Sequence, residues 1–337
     1  MASVQNVGIK AGIPQRPSTS GSLPGATSLG TTQALVSVEA SLEQALGKSQ
    51  ALTVTYVGAN GRRLTEVNEI LPGSINPNFS ALLFIQNGLT SNYESLQVQL
   101  QRRLSKGLTA LSSYTWSHSI DYGSLNAAFP AVRGNSDFDV RHNLSAALSY
   151  DIPNHFKSRF AQAVLGHWGL DDRFTVRSAF PVSLNGPTFN DPATGGHDTA
   201  GLDLVSGQPI YLFGPQYPGG RAINPAAFAP PAGCSEFSCP KATAGNAPRN
   251  LVRGFGAWQM DFALRREFPI HERLKLQFRA EAFNIFNHPN FGLIDPAHYS
   301  STFGRATGTL AQSLGILSPL YQAGGPRSMQ FALRLVF

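Results

Sequence analysis

Residues Asp139–Asp151 read DVRHNLSAALSYD, and the alternation in them decides the fold. Val140, His142, Leu144, Ala146, Leu148 and Tyr150 fall on one parity, and Arg141, Asn143, Ser145, Ala147 and Ser149 on the other. Successive side chains of an extended chain point to opposite faces, so this segment has one apolar and one polar face. A helix would scatter both sets around its axis, so the segment is a strand.

The same pattern recurs on either side. In Ala34–Leu46, Val36, Val38, Ala40 and Leu42 oppose Ser37, Glu39, Ser41 and Glu43; after a turn at Gly47-Lys48-Ser49, Leu52, Val54 and Tyr56 share a face. In Tyr93–Leu104, Leu96, Val98 and Leu100 oppose Gln97, Gln99 and Gln101; Ser105-Lys106-Gly107 turns the chain into Leu108–Ile120. Leu165–Ser178 carries Trp168, Leu170, Phe174 and Val176 on one parity, interrupted by Asp172. Trp258, Met260, Phe262 and Leu264 mark a further strand. Leu274, Leu276, Phe278, Ala280 and Ala282 oppose Lys275, Gln277, Arg279 and Glu281. In Arg327–Phe337, Met329, Phe331, Leu333, Leu335 and Phe337 alternate with Gln330, Ala332, Arg334 and Val336. The sum is about nine strands.

Their connections alternate in length. Short turns follow the first, third, fifth and seventh strands; the long segments 59–90, 121–138, 179–256 and 287–326 follow the others. Short turns on one side and long loops on the other is the arrangement of an outer-membrane barrel. Several strands run longer than the usual 5–6 residues of soluble sheets, which suits a tilted crossing of hydrocarbon. Tyr93, Trp116, Tyr150, Trp168 and Trp258 stand near strand ends, where interfacial aromatic belts form. The expected fold is an all-β, antiparallel transmembrane barrel with short periplasmic turns and long extracellular loops.

Composition agrees. Of 337 residues only 14% are charged, while 33 glycines and 23 prolines favour turns. The net charge of +6 is spread along the chain with no Lys/Arg block, which argues against a nucleic-acid surface. No apolar run is long enough for a transmembrane helix, which says nothing against spanning strands. The start of the chain lacks the charged-then-apolar pattern of an export signal, which suits a fragment, a truncated gene or a misassigned start.

Several segments resemble a known family. Arg279–Phe291 (RAEAFNIFNHPNF), Tyr93–Asp121 (YESLQVQLQRRLSKGLTALSSYTWSHSID), Phe138–Pro153 (FDVRHNLSAALSYDIP), Ala51–Leu64 (ALTVTYVGANGRRL) and Gly324–Phe337 (GGPRSMQFALRLVF) are similar to stretches of Oar-like TonB-dependent receptors. The resemblance covers roughly residues 34–337. It implies a plugged barrel of about 22 strands that takes up a large solute, driven through TonB. The plug, the TonB-contacting segment and the carboxypeptidase-regulatory-like domain of that family have no counterpart here. The chain then reads as the carboxy-terminal barrel portion over 34–337, with 1–33 as an extracellular loop end.

The candidate functional residues follow from facing. Arg141, Asn143, Gln277, Arg279, Glu281 and Arg334 are expected to face the lumen, with Arg279 and Glu281 in a charge ladder that also takes in Lys275. Phe331, Leu333, Leu335 and the terminal Phe337 match the signal read by the barrel-assembly machinery. Cys234 and Cys239, five apart in a Pro/Gly/Ser-rich stretch, suit a local disulfide better than a zinc site. Asp171-Asp172-Arg173 reads as a solvated strand-end cluster, and His288 and Asn290 as residues that fix a loop turn around Pro289. No motif of nucleophilic or metal-dependent hydrolysis occurs, so no catalytic residue, metal or cofactor is expected. The expected partners are outer-membrane lipid, the assembly machinery, and TonB only through a plug this chain lacks. The residues do not name the solute. Two other readings stay open: a complete small porin-like or adhesin-like barrel, and a secreted, soluble glycan-binding β-sandwich.

Overall fold

A computed structural model describes residues 4–11, 33–70, 82–123, 132–153, 158–190, 197–241, 243–271, 274–310 and 324–336. Its main feature is one long antiparallel sheet. The strands are β1 (Val4–Ala11), β2 (Ala34–Leu46), β3 (Gln50–Ile70), β4 (Leu82–Ser105), β5 (Leu108–Asp121), β6 (His142–Asp151), β7 (Trp168–Arg177), β8 (Ala257–Pro269), β9 (Lys275–Phe283) and β10 (Ser328–Val336). They pair in chain order, each with the next, and Gly134–Asn135 adds a short bridge to the end of β5. Such a meander follows from alternating strands joined by local connections.

All nine strands expected from the sequence are present, and their registers align the two faces across the sheet. Leu96 stands opposite Trp116 and Trp116 opposite His142; Leu264 stands opposite Leu170 on one side and Ala280 on the other. The β4–β5 turn shows why the sequence turns where it does. Lys106 and Gly107 both have positive φ (53° and 78°), the conformation of a tight primed hairpin turn. A Cβ on Gly107 would meet the Asp151 carbonyl at 2.4 Å, so glycine is required there.

Three expectations need correction. First, Val4–Ala11, within the stretch read as a loop, is a strand paired antiparallel with β2 through Ala11↔Val38 and Ile9↔Ala40. Second, most of the supposed long loop 59–90 is strand. β3 and β4 continue as a paired ribbon from Gly61↔Ser91 to Ile70↔Leu82, with register shifts around Leu64. Backbone pairing can outrun the apolar band. Beyond it both faces meet water, so the period-two polarity fades while the hydrogen bonds persist. Third, the fifth connection is not a short turn; it contains a helix, α1 (Arg159–Leu165).

Residues of the two long connections 178–256 and 287–310 fold into a lobe at the long-loop end of the sheet. Leu202, Ile223, Ala227, Phe228, Val252 and Phe303 form its buried core, flanked by Val182, Leu204, Ile210 and Ile294. Short strand pairs frame it: Tyr211–Phe213 with Arg221–Ile223, and Phe291–Ile294 with Ala306–Thr309. A second cluster joins Phe189, Ala200 and Cys239, next to the Cys234–Cys239 disulfide.

Candidate functional site

The sheet presents two chemically different faces, and the polar one carries a connected set of charges. On β9, Arg279 contacts Glu281 through Nε at 2.6 Å and Asp171 of β7 through Nη1 at 2.6 Å. Arg265 of β8 reaches Asp171 at 3.3 Å and also pairs with Asp151 at the end of β6. Ser149 donates to Asp171 at 2.7 Å. Lys275 and Gln277 both reach Glu267, at 3.2 and 3.4 Å. Arg334 stands opposite Gln277 in the β9–β10 register, and Asn143 lies between Thr115 and Arg177. Arg279 and Glu281 thus stand together with Asp171 and Arg265, while Lys275 pairs with Glu267 instead. Asp171 and Arg265, about a hundred residues apart in sequence, meet because β7 and β8 are neighbours.

The Asp171-Asp172-Arg173 triplet does not act as one cluster. Asp171 joins the polar ladder, whereas Asp172 faces the other way, between Leu148 and Phe262 in register. Consecutive residues of a strand must part in this manner.

At the long-loop end the polar face ends in a second cluster. The Asp139 carboxylate is fully buried and accepts from the Ser119 amide (2.8 Å), from Arg141 Nε (2.9 Å) and from the Arg253 guanidinium, with His118 Nδ1 3.1 Å away. Burial pushes this carboxyl up. The bonds from His118, Ser119 and Arg253 and the charge of Arg141 more than offset that, so it is held below the ordinary carboxylate value. Arg249 joins Asp121 (2.8 Å) and Asp137 (3.0 Å), and Asn250 donates to Asp137 at 2.7 Å. Arg249, Asn250 and Arg253 belong to the lobe; the aspartates belong to the strand ends. This seam fastens the lobe to the mouth of the sheet. Arg141 is its member among the lumen-facing candidates of the sequence; Arg249, Asn250 and Arg253 reach their aspartates across more than a hundred residues. His142, adjacent to this seam in sequence, faces the opposite side and contacts the Tyr114 hydroxyl through Nδ1 at 2.8 Å.

The NIFNHPNF stretch is a second fastening. The Asn284 side chain accepts from the His288 amide (3.0 Å) and donates to the carbonyls of His288 (2.9 Å) and Gly325 (2.8 Å). Asn290 pairs with both backbone groups of Trp258, at 2.8 and 3.0 Å, as a neighbouring strand would. Asn284 and Asn287 have φ of 50°, which asparagine tolerates better than most residues. The structure thus fixes a corner with these side chains, in line with the reading of Asn290 and His288 as turn residues.

The apolar face is outward and uncovered. Phe331 and Leu333 are 69% and 70% exposed, and Phe331 stacks beside Phe278 at 6.3 Å. Phe337 lies outside the described residues. Four of the five flagged aromatics are on this face. Trp116 and Trp258 sit at the long-loop level, the latter stacked on His288 at 4.3 Å and near Phe286 at 5.8 Å. Tyr150 and Trp168 sit at the short-turn level. Tyr93 does not belong with them; it lies on the polar face inside the extended β4, opposite Ser119. The two aromatic levels are eight residues apart, from His142 (opposite Trp116) to Tyr150. That is about 27 Å along a strand, or about 20 Å across a membrane at a tilt of about 40°. An apolar band flanked by aromatic girdles at this separation fits a barrel wall crossing hydrocarbon.

The chain is similar in structure to the ferripyoverdine receptor of the Pseudomonas aeruginosa outer membrane, with 12% identity and a TM-score of 0.47, over 92% of this chain and 28% of the receptor. It is also similar to the ferric-catecholate import receptor Fiu of Escherichia coli K12 (10% identity, TM-score 0.44, 97% and 31%) and to the outer membrane transporter YddB of Escherichia coli (9%, 0.47, 91% and 33%). The chain spans about a third of the length of these proteins or less. No curated protein matches it. The profile of the family described as outer membrane beta barrel domain matches residues 5–330. With that match over nearly its whole length, the chain belongs to the outer membrane beta-barrel domain family, and its place is the outer membrane.

Proposed function

We propose that this chain forms the carboxy-terminal part of the wall, and an outer lobe, of an Oar-like TonB-dependent transporter that admits a large solute. The observation that carries the reading is the folded lobe fastened at the mouth through Arg249, Asn250 and Arg253. A simple diffusion pore needs no packed lobe over its opening, whereas a receptor needs a shaped outer surface to select a solute. The polar face, with Arg141, Asn143, Gln277, Arg279, Glu281 and Arg334, lines the lumen in this reading. Arg141, Arg279 and Glu281 stand in ion pairs with charges of opposite sign, so this part of the wall is hydrophilic with its charges offset. TonB acts through a plug carried elsewhere in the full receptor, and residues 34–337 supply wall and loops.

Purification of the gene product from outer membranes of its native host tests this reading. The periplasmic domain of TonB is the binding probe, and potassium chloride conductance in a planar bilayer is the transport probe. A polypeptide longer than 337 residues that binds TonB and holds no steady conductance supports the proposal. A 337-residue product with steady conductance and no TonB binding overturns it in favour of a porin-like barrel.

A further inference from the structure

Helix α1 sits in the fifth connection, at the short-turn end of the sheet. The Ser158 hydroxyl accepts from the Ala161 amide at 3.5 Å and caps its start. Phe160 and Val164, four apart, share one face and are 79% and 46% exposed. Two hydrogen bonds fix the side of the wall on which the helix lies. Trp168 Nε1 donates to the Val164 carbonyl at 3.2 Å, and the Arg266 guanidinium donates to the Ala163 carbonyl. Trp168 and Arg266 are partners in register on the apolar face. The helix is therefore outside the wall and not in the lumen.

The surroundings identify what covers it. The Arg266 guanidinium lies over the rings of Trp168 (5.0 Å) and Phe268 (4.5 Å), so its stem and rings stay apolar while its charge reaches the rim. Trp168 belongs to the short-turn aromatic level, which is the periplasmic interface of an outer-membrane barrel. The exposed helix face thus continues the apolar belt of the wall at headgroup depth. We infer that α1 is an interfacial anchor: it lies along the inner leaflet with Phe160 and Val164 among the acyl chains of glycerophospholipids. Arg266 stands at the level of their phosphates. A short amphipathic helix in this position resists tilting and vertical sliding of the wall. This inference rests on the outer-membrane assignment and does not depend on the transport reading.

The test uses the full chain, native disulfide intact, reconstituted in phosphatidylcholine–phosphatidylglycerol vesicles. An environment-sensitive fluorophore is placed in turn at Val164→Cys, at Gln162→Cys on the opposite helix face, and at Leu144→Cys on the apolar wall. Brominated phosphatidylcholine and aqueous iodide are the quenchers. The expected result is loss of most emission to brominated lipid at 164 and 144, with iodide quenching only at 162. Iodide quenching at 164 while 144 stays in lipid overturns the anchor and leaves the membrane wall standing. A label at 164 shielded from both quenchers also overturns it, because the helix face is then packed on protein. If 144 itself is reached by iodide, the wall assignment and the anchor fall together.

Discussion

The wall and the lobe bury their apolar side chains in opposite directions. In the lobe, Val252 and Ile223 are 0% and 1% exposed, and Phe303 packs edge-on against Phe228 at 6.3 Å. In the wall large apolar side chains such as Phe331 and Leu333 point outward, and Arg265, Arg279 and Asp171 turn inward. One physical rule produces both. Apolar surface leaves water for whatever apolar medium is at hand: other side chains in the lobe, lipid chains around the wall. An exposed apolar side chain therefore means destabilisation in one region and membrane contact in the other.

This contrast can be broken at several points. The largest effect is expected from Phe303→Ala, which opens a cavity in the lobe core at a cost of about 3–5 kcal/mol. Protease should then cut the lobe in intact cells while the wall keeps its heat-modifiable migration. Simultaneous loss of both would show that the regions are not separable. Next comes Leu144→Arg, a cation on the lipid face, expected to cost about 2–4 kcal/mol and to impair assembly. Ser145→Arg, one residue on and facing the other way, should assemble nearly normally. Equal damage from the two would contradict the facing.

Smaller effects concern the lobe and its seam. Replacing Cys234 and Cys239 by serine releases a local loop and should cost about 2 kcal/mol by chain-entropy reasoning, read as a lower unfolding midpoint of the lobe alone. Unchanged lobe stability would mean that Phe189 and Ala200 hold that cluster without the bond. The smallest effect near neutrality is that of acid on the seam. The folded Asp139 carboxyl is lowered from its ordinary value of 3.8, so its contribution is fully present above that value and is lost as pH falls through the lowered one. Lobe docking, followed by hydrogen exchange at residues 249–253, should be steady from neutral pH down to about 4 and weaken below it. Release near pH 6 would place control on another group.

How much the sequence shows depends on the same contrast. Parity in segments such as Asp139–Asp151 placed every wall strand of 34–337 and put Arg279 beside Glu281, because hydrocarbon and water stamp a strict period of two. Outside the band that stamp is missing. The continuation of β3 and β4 past Gly61 is therefore unreadable in the sequence, and Tyr93, though near a strand end, joins no girdle. Helix α1 is only seven residues long, too short for its period to stand out. The seam around Asp139 draws His118, Arg249 and Arg253 from distant segments, and nothing local marks them. Phe331, Leu333 and Leu335 do lie in one outward row on the final strand. Their role as an assembly signal remains an expectation for insertion kinetics.

The most direct measurement is a nitroxide scan along β6, one label at each position from 142 to 151, in reconstituted vesicles. Collision rates with lipid-soluble oxygen and with a water-soluble nickel chelate are read at every site. A wall between hydrocarbon and a hydrated interior predicts opposite period-two oscillations, with oxygen maxima at 144, 146 and 148 and nickel maxima at 143, 145 and 147. Uniform access of the nickel chelate along both parities would contradict it.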